Sequence, residues 1–255
     1  MKLKRLLFVL ACFAVIVAAA YALSIYKSPL KKEKPNGNVK RVSNNIKSPC
    51  NILVMGDSLA KGTGDEKGKG FAGYFADDLK SSNVKSVNVN NIAADGEVSS
   101  QLLKIVNNEG TAPLIKSSDM IFISIGGNDI VSLRNVPVSS IPYKIKDVED
   151  AYLNNLKDIF KAVRSRNSSC KIVFIGLYNP FGDSYGKYTV FFLNKWNSDT
   201  KKVVCSDSNS CYAATYDAFK GNTNNYLSHD NFHPDSSGYK AIAKQIEHVL
   251  NIDKK

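Results

Sequence analysis

The chain has 255 residues, 44% of them hydrophobic, enough to bury one ample core in a domain of about 200 residues. Its formal charge of +11 invites a polyanion as partner, but the placement of that charge excludes nucleic acid for the folded part. Residues 1–47 hold ten Lys or Arg against one acidic residue, Glu33, whereas from Ser48 onward 24 basic residues face 22 acidic ones, leaving a nearly neutral domain.

Met1-Lys2-Leu3-Lys4-Arg5 is a short basic start, and Leu6 to Tyr26 follows as 21 residues with no charge and Ser24 as the one polar position. A helix of that length crosses a bilayer core at about 1.5 Å per residue. Residues 1–26 read as a retained transmembrane anchor, because the run exceeds the roughly 7–15 apolar residues of a signal core, or as a signal peptide cut near Ala20-Tyr21-Ala22. Lipid attachment at Cys12 is a third reading, opposed by the apolar sequence that continues well past it. Lys2, Lys4 and Arg5 before the span are nearly balanced by Lys27, Lys31, Lys32 and Lys34 after it, so charge alone does not orient it. So short a start ahead of a long domain points to export, giving a single-pass protein with an extracellular domain, or a secreted one if the segment is cut. Residues 27–49, with Pro29, Pro35, Gly37, Pro49 and many Lys and Asn, predict a disordered basic stalk.

Residues 50–255 read as one domain. Short apolar runs predict strands at Ile52–Met55, Val84–Ile92, Met120–Ile125, Lys171–Leu177 and Cys211–Tyr216. Amphipathic stretches between them predict helices at Phe71–Leu79, Val98–Val106, Val148–Arg166, Val190–Val204 and Ser236–Leu250. This alternation predicts an α/β fold, a three-layer α/β/α sandwich around a mostly parallel five-stranded sheet. Met120–Ile125 and Ile172–Ile175 are apolar at consecutive positions, as burial on both faces requires.

In such folds ligands sit beyond the carboxyl ends of the strands. There the sequence places Gly56-Asp57-Ser58, then Gly96, Gly126-Gly127-Asn128-Asp129, Gly176 to Asp183, and Ser228 to Tyr239. A serine hydroxyl is a poor nucleophile until a base takes its proton. His233 is the base candidate, and Asp230, three residues earlier, shares a face with it if the segment makes a helical or 3₁₀ turn. The carboxylate then holds one ring nitrogen and frees the other for Ser58, with neighbouring His229 facing elsewhere. The N–H groups of Ser58 and Gly96 and the side-chain amide of Asn128 are the candidate oxyanion donors. Asp57 and Asp129 are expected to hold loops through backbone N–H groups, not a metal.

These four blocks resemble those of the SGNH hydrolases, also called GDSL esterases/lipases, over about Asn51 to Leu250. Gly-Asp-Ser alone is common, whereas Gly-Gly-Asn-Asp and Asp-x-x-His-Pro-Asp-x-x-Gly-Tyr are far more specific. The stretch GDSLAKGTGDEKGKGF is similar to a membrane-anchored Gram-positive branch related to lysophospholipase-type esterases. The resemblance implies a flavodoxin-like sheet and a serine esterase working through an acyl-enzyme without metal or cofactor. It implies Ser58 as nucleophile, His233 as base then acid, Asp230 as orienting carboxylate, and Ser58, Gly96 and Asn128 as the oxyanion hole. Asp95 and Glu97, acidic and bulky on either side of Gly96, depart from the pattern where substrate preference is set.

Tyr178 and Phe181 are candidates to line an acyl pocket, while Trp196 in an amphipathic helix reads as packing. Substrates are then small carboxylic esters: fatty-acyl esters such as lysophospholipids, or acetyl esters on surface glycans. A binding module that lost the chemistry is the rival reading. The loop Gly62–Gly70 lacks the Gly-x-x-x-x-Gly-Lys-Ser/Thr pattern of a phosphate cradle. Cys205 and Cys211 flank a polar loop and are read either as a bridge, if exported, or as free thiols.

Overall fold

The computed structural model describes residues 46, 48–82, 84–137, 140–182 and 186–252. The apolar run 6–26 and nearly all of the stalk lie outside the described residues. Among the described residues no helix is long and apolar enough to cross a membrane.

Five strands form the sheet: β1 (Cys50–Gly56), β2 (Val87–Asn91), β3 (Met120–Ser124), β4 (Lys171–Ile175) and β5 (Ser210–Ala213). They lie in the order β2-β1-β3-β4-β5 and all four pairings are parallel, so the sheet is wholly, not mostly, parallel. The helices are α1 (Ser58–Lys61), α2 (Gly70–Ser81), α3 (Ser99–Asn107), α4 (Ala112–Ser117), α5 (Gly127–Val131), α6 (Ile141–Arg166), α7 (Gly186–Cys205), α8 (Tyr216–Phe219), α9 (Thr223–Tyr226) and α10 (Ser236–Leu250).

The consecutive apolar residues split by strand period between two cores. Leu53 and Met55, Ile121 and Ile123, and Ile172 and Phe174 face one layer, packed against Leu156 and Ile159 of α6 and Trp196 of α7. Ile52 and Val54, Met120 and Phe122, and Val173 and Ile175 face the other, against Phe75 of α2 and Ile242 and Ile246 of α10. Each such fully buried side chain contributes roughly 1.5–3 kcal/mol relative to exposure. β2 is the exception, with only its first residue buried, because as an edge strand it meets a core on a small part of its surface.

Parallel strands need long crossovers, and here the crossover from β1 goes to β2 on one side before the chain returns to β3 on the other. The topological switch point of the sheet therefore lies at the carboxyl end of β1. Ser58 begins the turn that leaves it.

Candidate active site

β1 stops because its last residue must be glycine. Gly56 has φ +122°, and a Cβ there would lie 1.8 Å from the Ser124 carbonyl oxygen, well inside contact distance. Asp57 then caps α1, its Oδ1 accepting from Leu59 N at 3.1 Å and from Ser124 Oγ at 3.0 Å. Burial pushes the Asp57 carboxyl up to about 7 against these hydrogen bonds. The cap fixes Ser58 at the first position of the helical turn.

Ser58 Oγ lies 2.9 Å from His233 Nε2, and His233 Nδ1 lies 2.7 Å from Asp230 Oδ2. The other carboxylate oxygen of Asp230 accepts from the N–H groups of Phe232 and His233 and from Ser228 Oγ, each at 2.9 Å. Burial alone would raise the Asp230 carboxyl; the His233 ring and the two N–H groups outweigh it and hold the acid well below its ordinary range. An ionised Asp230 accepts only, so Nδ1 carries the proton and Nε2 is left to accept from Ser58. The segment is a loop, not the helical turn expected from the spacing. Ser228 N donates to His233 O at 2.8 Å, Asn231 sits at φ +55°, and a Leu227–Pro234 bridge closes the base. His229 is exposed.

Asn128 stands at the start of α5, after Gly126 at φ +119°. Its Nδ2 donates to the Glu97 carbonyl at 2.9 Å, which uses one amide proton and leaves the second. That bond ties Asn128 to the Glu97–Val98 peptide, next to Gly96. Gly96 has φ +78°, and a Cβ there would meet nothing within 4 Å, so backbone conformation, not crowding, requires this glycine. Asp129 holds the start of α3 by accepting from Ser99 N at 3.0 Å and Ser99 Oγ at 2.5 Å. Among the described residues no group of three or more His, Cys, Asp or Glu is placed to hold a metal ion.

A pocket of about 110 Å³ opens beside Ser58, Asn128 and His233, with walls from Ile130, Leu177, Phe181, Phe192 and Leu193. Both aromatic candidates line it. Phe181 is a wall residue, but Tyr178 is also a strut. Its hydroxyl donates to Phe232 O at 2.6 Å and its ring stacks on Phe219 at 4.2 Å, bracing the His233 loop. Sequence reasoning missed Leu177, Phe192 and Leu193. The apolar face of α7 was the available signal, but nothing in it says that its early turns reach Ser58. Trp196 is packing, stacked on Tyr152 at 4.5 Å. Cys205 and Cys211 are both free.

The loop after Ser58 fastens the nucleophile's side to the base's side. A Cβ on Gly64 would lie 2.8 Å from His233 Cβ. Asp65 accepts from Lys69 N and Gly70 N at 2.8 Å and from Ser236 Oγ at 2.6 Å, and Tyr239 Oη donates to Thr63 O at 2.8 Å. Gly64 thus serves close approach between the two chain segments.

A serine, an imidazole and a carboxylate joined at the switch point of a doubly wound sheet, beside an apolar pocket, define a carboxylic ester hydrolase. The chain belongs to the GDSL-like lipase/acylhydrolase family, whose model matches residues 54–241. It is similar to the uncharacterized protein YpmR of Bacillus subtilis, 30% identical over 84% of this chain and 86% of that one. It is also similar to the spore germination lipase LipC of Bacillus licheniformis, 25% identical over 76% of this chain and 92% of the relative. Among solved structures it shares its fold with the lipase Lip_vut3 from a goat rumen metagenome, with a TM-score of 0.70 and 22% identity over 78% of this chain and 97% of that one.

Proposed function

We propose that this protein hydrolyses fatty-acyl carboxylic esters of the lysophospholipid type through an acyl-enzyme on Ser58. The carrying observation is the continuous chain Ser58 Oγ–His233 Nε2, His233 Nδ1–Asp230 Oδ2 at 2.9 and 2.7 Å. His233 takes the hydroxyl proton as Oγ attacks the ester carbonyl, and Asp230 stabilises the imidazolium that results. The oxygen that becomes negative is received by the N–H groups of Ser58 and Gly96 and the second Nδ2 proton of Asn128. His233 then protonates the departing alcohol, and a water activated by the same imidazole hydrolyses the acyl-enzyme.

The apolar walls beside Ser58 support an acyl chain over an acetyl group, and so does the likeness to a lipase. Retention of residues 1–26 as an anchor would hold the domain on the outer face of a membrane, close to such lipids. The test is hydrolysis of p-nitrophenyl esters from C2 to C12 by the wild-type chain and Ser58→Ala. The expected result is a Ser58-dependent optimum above C4. An optimum at acetyl would favour the glycan O-acetyl esterase reading, and equal rates for both proteins would favour a non-catalytic module.

A further inference from the structure

The order of the sheet gives the two sides of Ser58 opposite characters. β1, which leads into Ser58, lies between β2 and β3. Segments that follow β3 and β4 supply Ile130, Leu177 and Phe181 to the apolar pocket. The loop after β2 supplies Asp95 on the opposite side. Its carboxylate accepts from Lys61 Nζ at 2.6 Å and from Thr63 Oγ1 at 2.5 Å.

This cluster is coupled to the reacting groups by short covalent and hydrogen-bonded paths. Lys61 is three residues beyond Ser58 on α1, the N–H of Thr63 donates to Ser58 O at 3.0 Å, and Asp95 precedes Gly96. None of the three lines the apolar pocket. The side chains of Lys61 and Asp95 are about half exposed, at 50% and 52%, so each keeps hydrogen-bonding capacity toward solvent. An ammonium has three protons and a carboxylate about four acceptor positions; the bonds within the cluster use only part of these. The open space above Gly96 lies on this same side of the site.

An ester has two ends, and they leave the reacting carbon in different directions. With the acyl chain in the apolar pocket, the alcohol lies on the β2 side, over Lys61, Thr63 and Asp95. An apolar alcohol there would strip water from the ion pair and return no hydrogen bond, which is unfavourable. A hydroxyl near the ester oxygen donates to the carboxylate and accepts from the ammonium, while the threonine hydroxyl, its one proton held by Asp95, can only accept. The pair is neutral as a whole, which suits an alcohol without net charge.

We propose that Lys61, Thr63 and Asp95 form the leaving-alcohol subsite and select esters whose alcohol carries a free hydroxyl near the ester oxygen, whether the glycerol of a monoacyl lipid or a sugar ring. This rests on Ser58 being the nucleophile with the acyl chain in the apolar pocket. It assigns a role to the acidic residue before Gly96 that acyl transfer itself does not require.

The test compares three esters of one acyl chain on the full-length protein: p-nitrophenyl decanoate, monodecanoylglycerol and a 6-O-decanoyl glucose. In Asp95→Ala and in Lys61→Met, kcat/KM for the polyol ester should fall roughly 10- to 100-fold relative to the p-nitrophenyl ester, the loss expected for one hydrogen bond to a charged group. The polyol ester with the higher wild-type kcat/KM, and the larger fall, identifies glycerol or sugar as the source. Asp95→Asn, of the same shape, replaces the alanine variant should that one fail to fold, and should show a smaller fall in the same ratio. A ratio that does not move, or a parallel fall for all three esters, would overturn the subsite. Hydrolysis that survives in Ser58→Ala would instead overturn the underlying esterase reading.

Discussion

The two edges of the sheet are built from the same residue types and treat them differently. At the amino-terminal edge, Arg164 of α6 donates to both oxygens of Asp207 at 2.6 and 2.8 Å and to the Cys170 carbonyl at 2.7 Å. Beside it, buried Asn167 donates to the carbonyls of Ile115 and Ser118 and accepts from Cys170 N, at 2.8 to 2.9 Å. Such a network ties α4, α6 and the entries to β4 and β5 into one body. At the carboxyl-terminal edge, Glu97 is buried with Oε2 lacking any partner, and burial together with the Asp57 charge pushes its carboxyl up to about 7. Polar groups paired to completion stabilise, whereas polar groups left with capacity or held at an unfavourable charge are available for chemistry.

The comparison breaks first at the nucleophile. Ser58→Ala should lower turnover by roughly 10⁴–10⁶-fold while leaving the melting temperature within a few degrees, since one buried-edge hydroxyl contributes little to stability. Arg164→Ala should do the reverse. It strands a largely buried Asp207 and removes the donor to the carbonyls of Asn167, Cys170 and Asn209, costing about 3–5 kcal/mol, seen as a fall in urea midpoint with kcat per folded molecule retained. Wild-type kcat at reduced stability in the first variant, or lost kcat at full stability in the second, would dissolve the distinction.

Glu97 sharpens it. Its folded-state carboxyl titrates near 7 against 4.5 for the free group. A raised value means that the folded state holds the proton more tightly, so the stability tied to the neutral form is complete below about pH 4.5 and is lost as pH rises toward 7. The loss is on the order of 3 kcal/mol. Glu97→Gln, which cannot ionise, should make the fall in melting temperature between pH 5 and 8 shallower, leaving the part that Asp57, also pushed up to about 7, contributes; an unchanged slope would mean that the Glu97 carboxyl is not protonated in the folded protein. Tyr178→Phe is the mildest variant. Removing its bond to the Phe232 carbonyl should cost about 1–2 kcal/mol and lower kcat a few-fold by loosening the His233 loop, measured against unchanged p-nitrophenyl ester KM.

What was legible in the sequence was what local chemistry dictates. Ser58 and Asn128 each follow a strand end and stand at the start of a helix, so placing the strands placed them, whereas His233 was marked by its Asp-x-x-His-Pro-Asp block. The five strands and five long helices carry periodic apolar faces, and their existence followed from that. α1, α5, α8 and α9 are four or five residues long, too short to show a period, and were not foreseen. α6 begins at Ile141, seven residues before the expected Val148, because its first two turns carry Tyr143, Lys144, Lys146 and Asp147 after a proline-led start rather than an apolar stripe. Asp230 and His233 meet through a loop braced by Ser228 and Pro234, a contact set by closure and not by helical spacing. The pocket walls from α7 and the partition between an apolar and a charged side of Ser58 depend on sheet order, which no local pattern contains.

Covalent labelling tests the central claim most directly. A fluorophosphonate phosphonylates an activated serine as its oxygen displaces fluoride, and peptide mapping by mass spectrometry locates the adduct. The geometry predicts a single adduct on Ser58 whose formation slows by several orders of magnitude in His233→Ala. Labelling at another residue, or an undiminished rate without the imidazole, would contradict it.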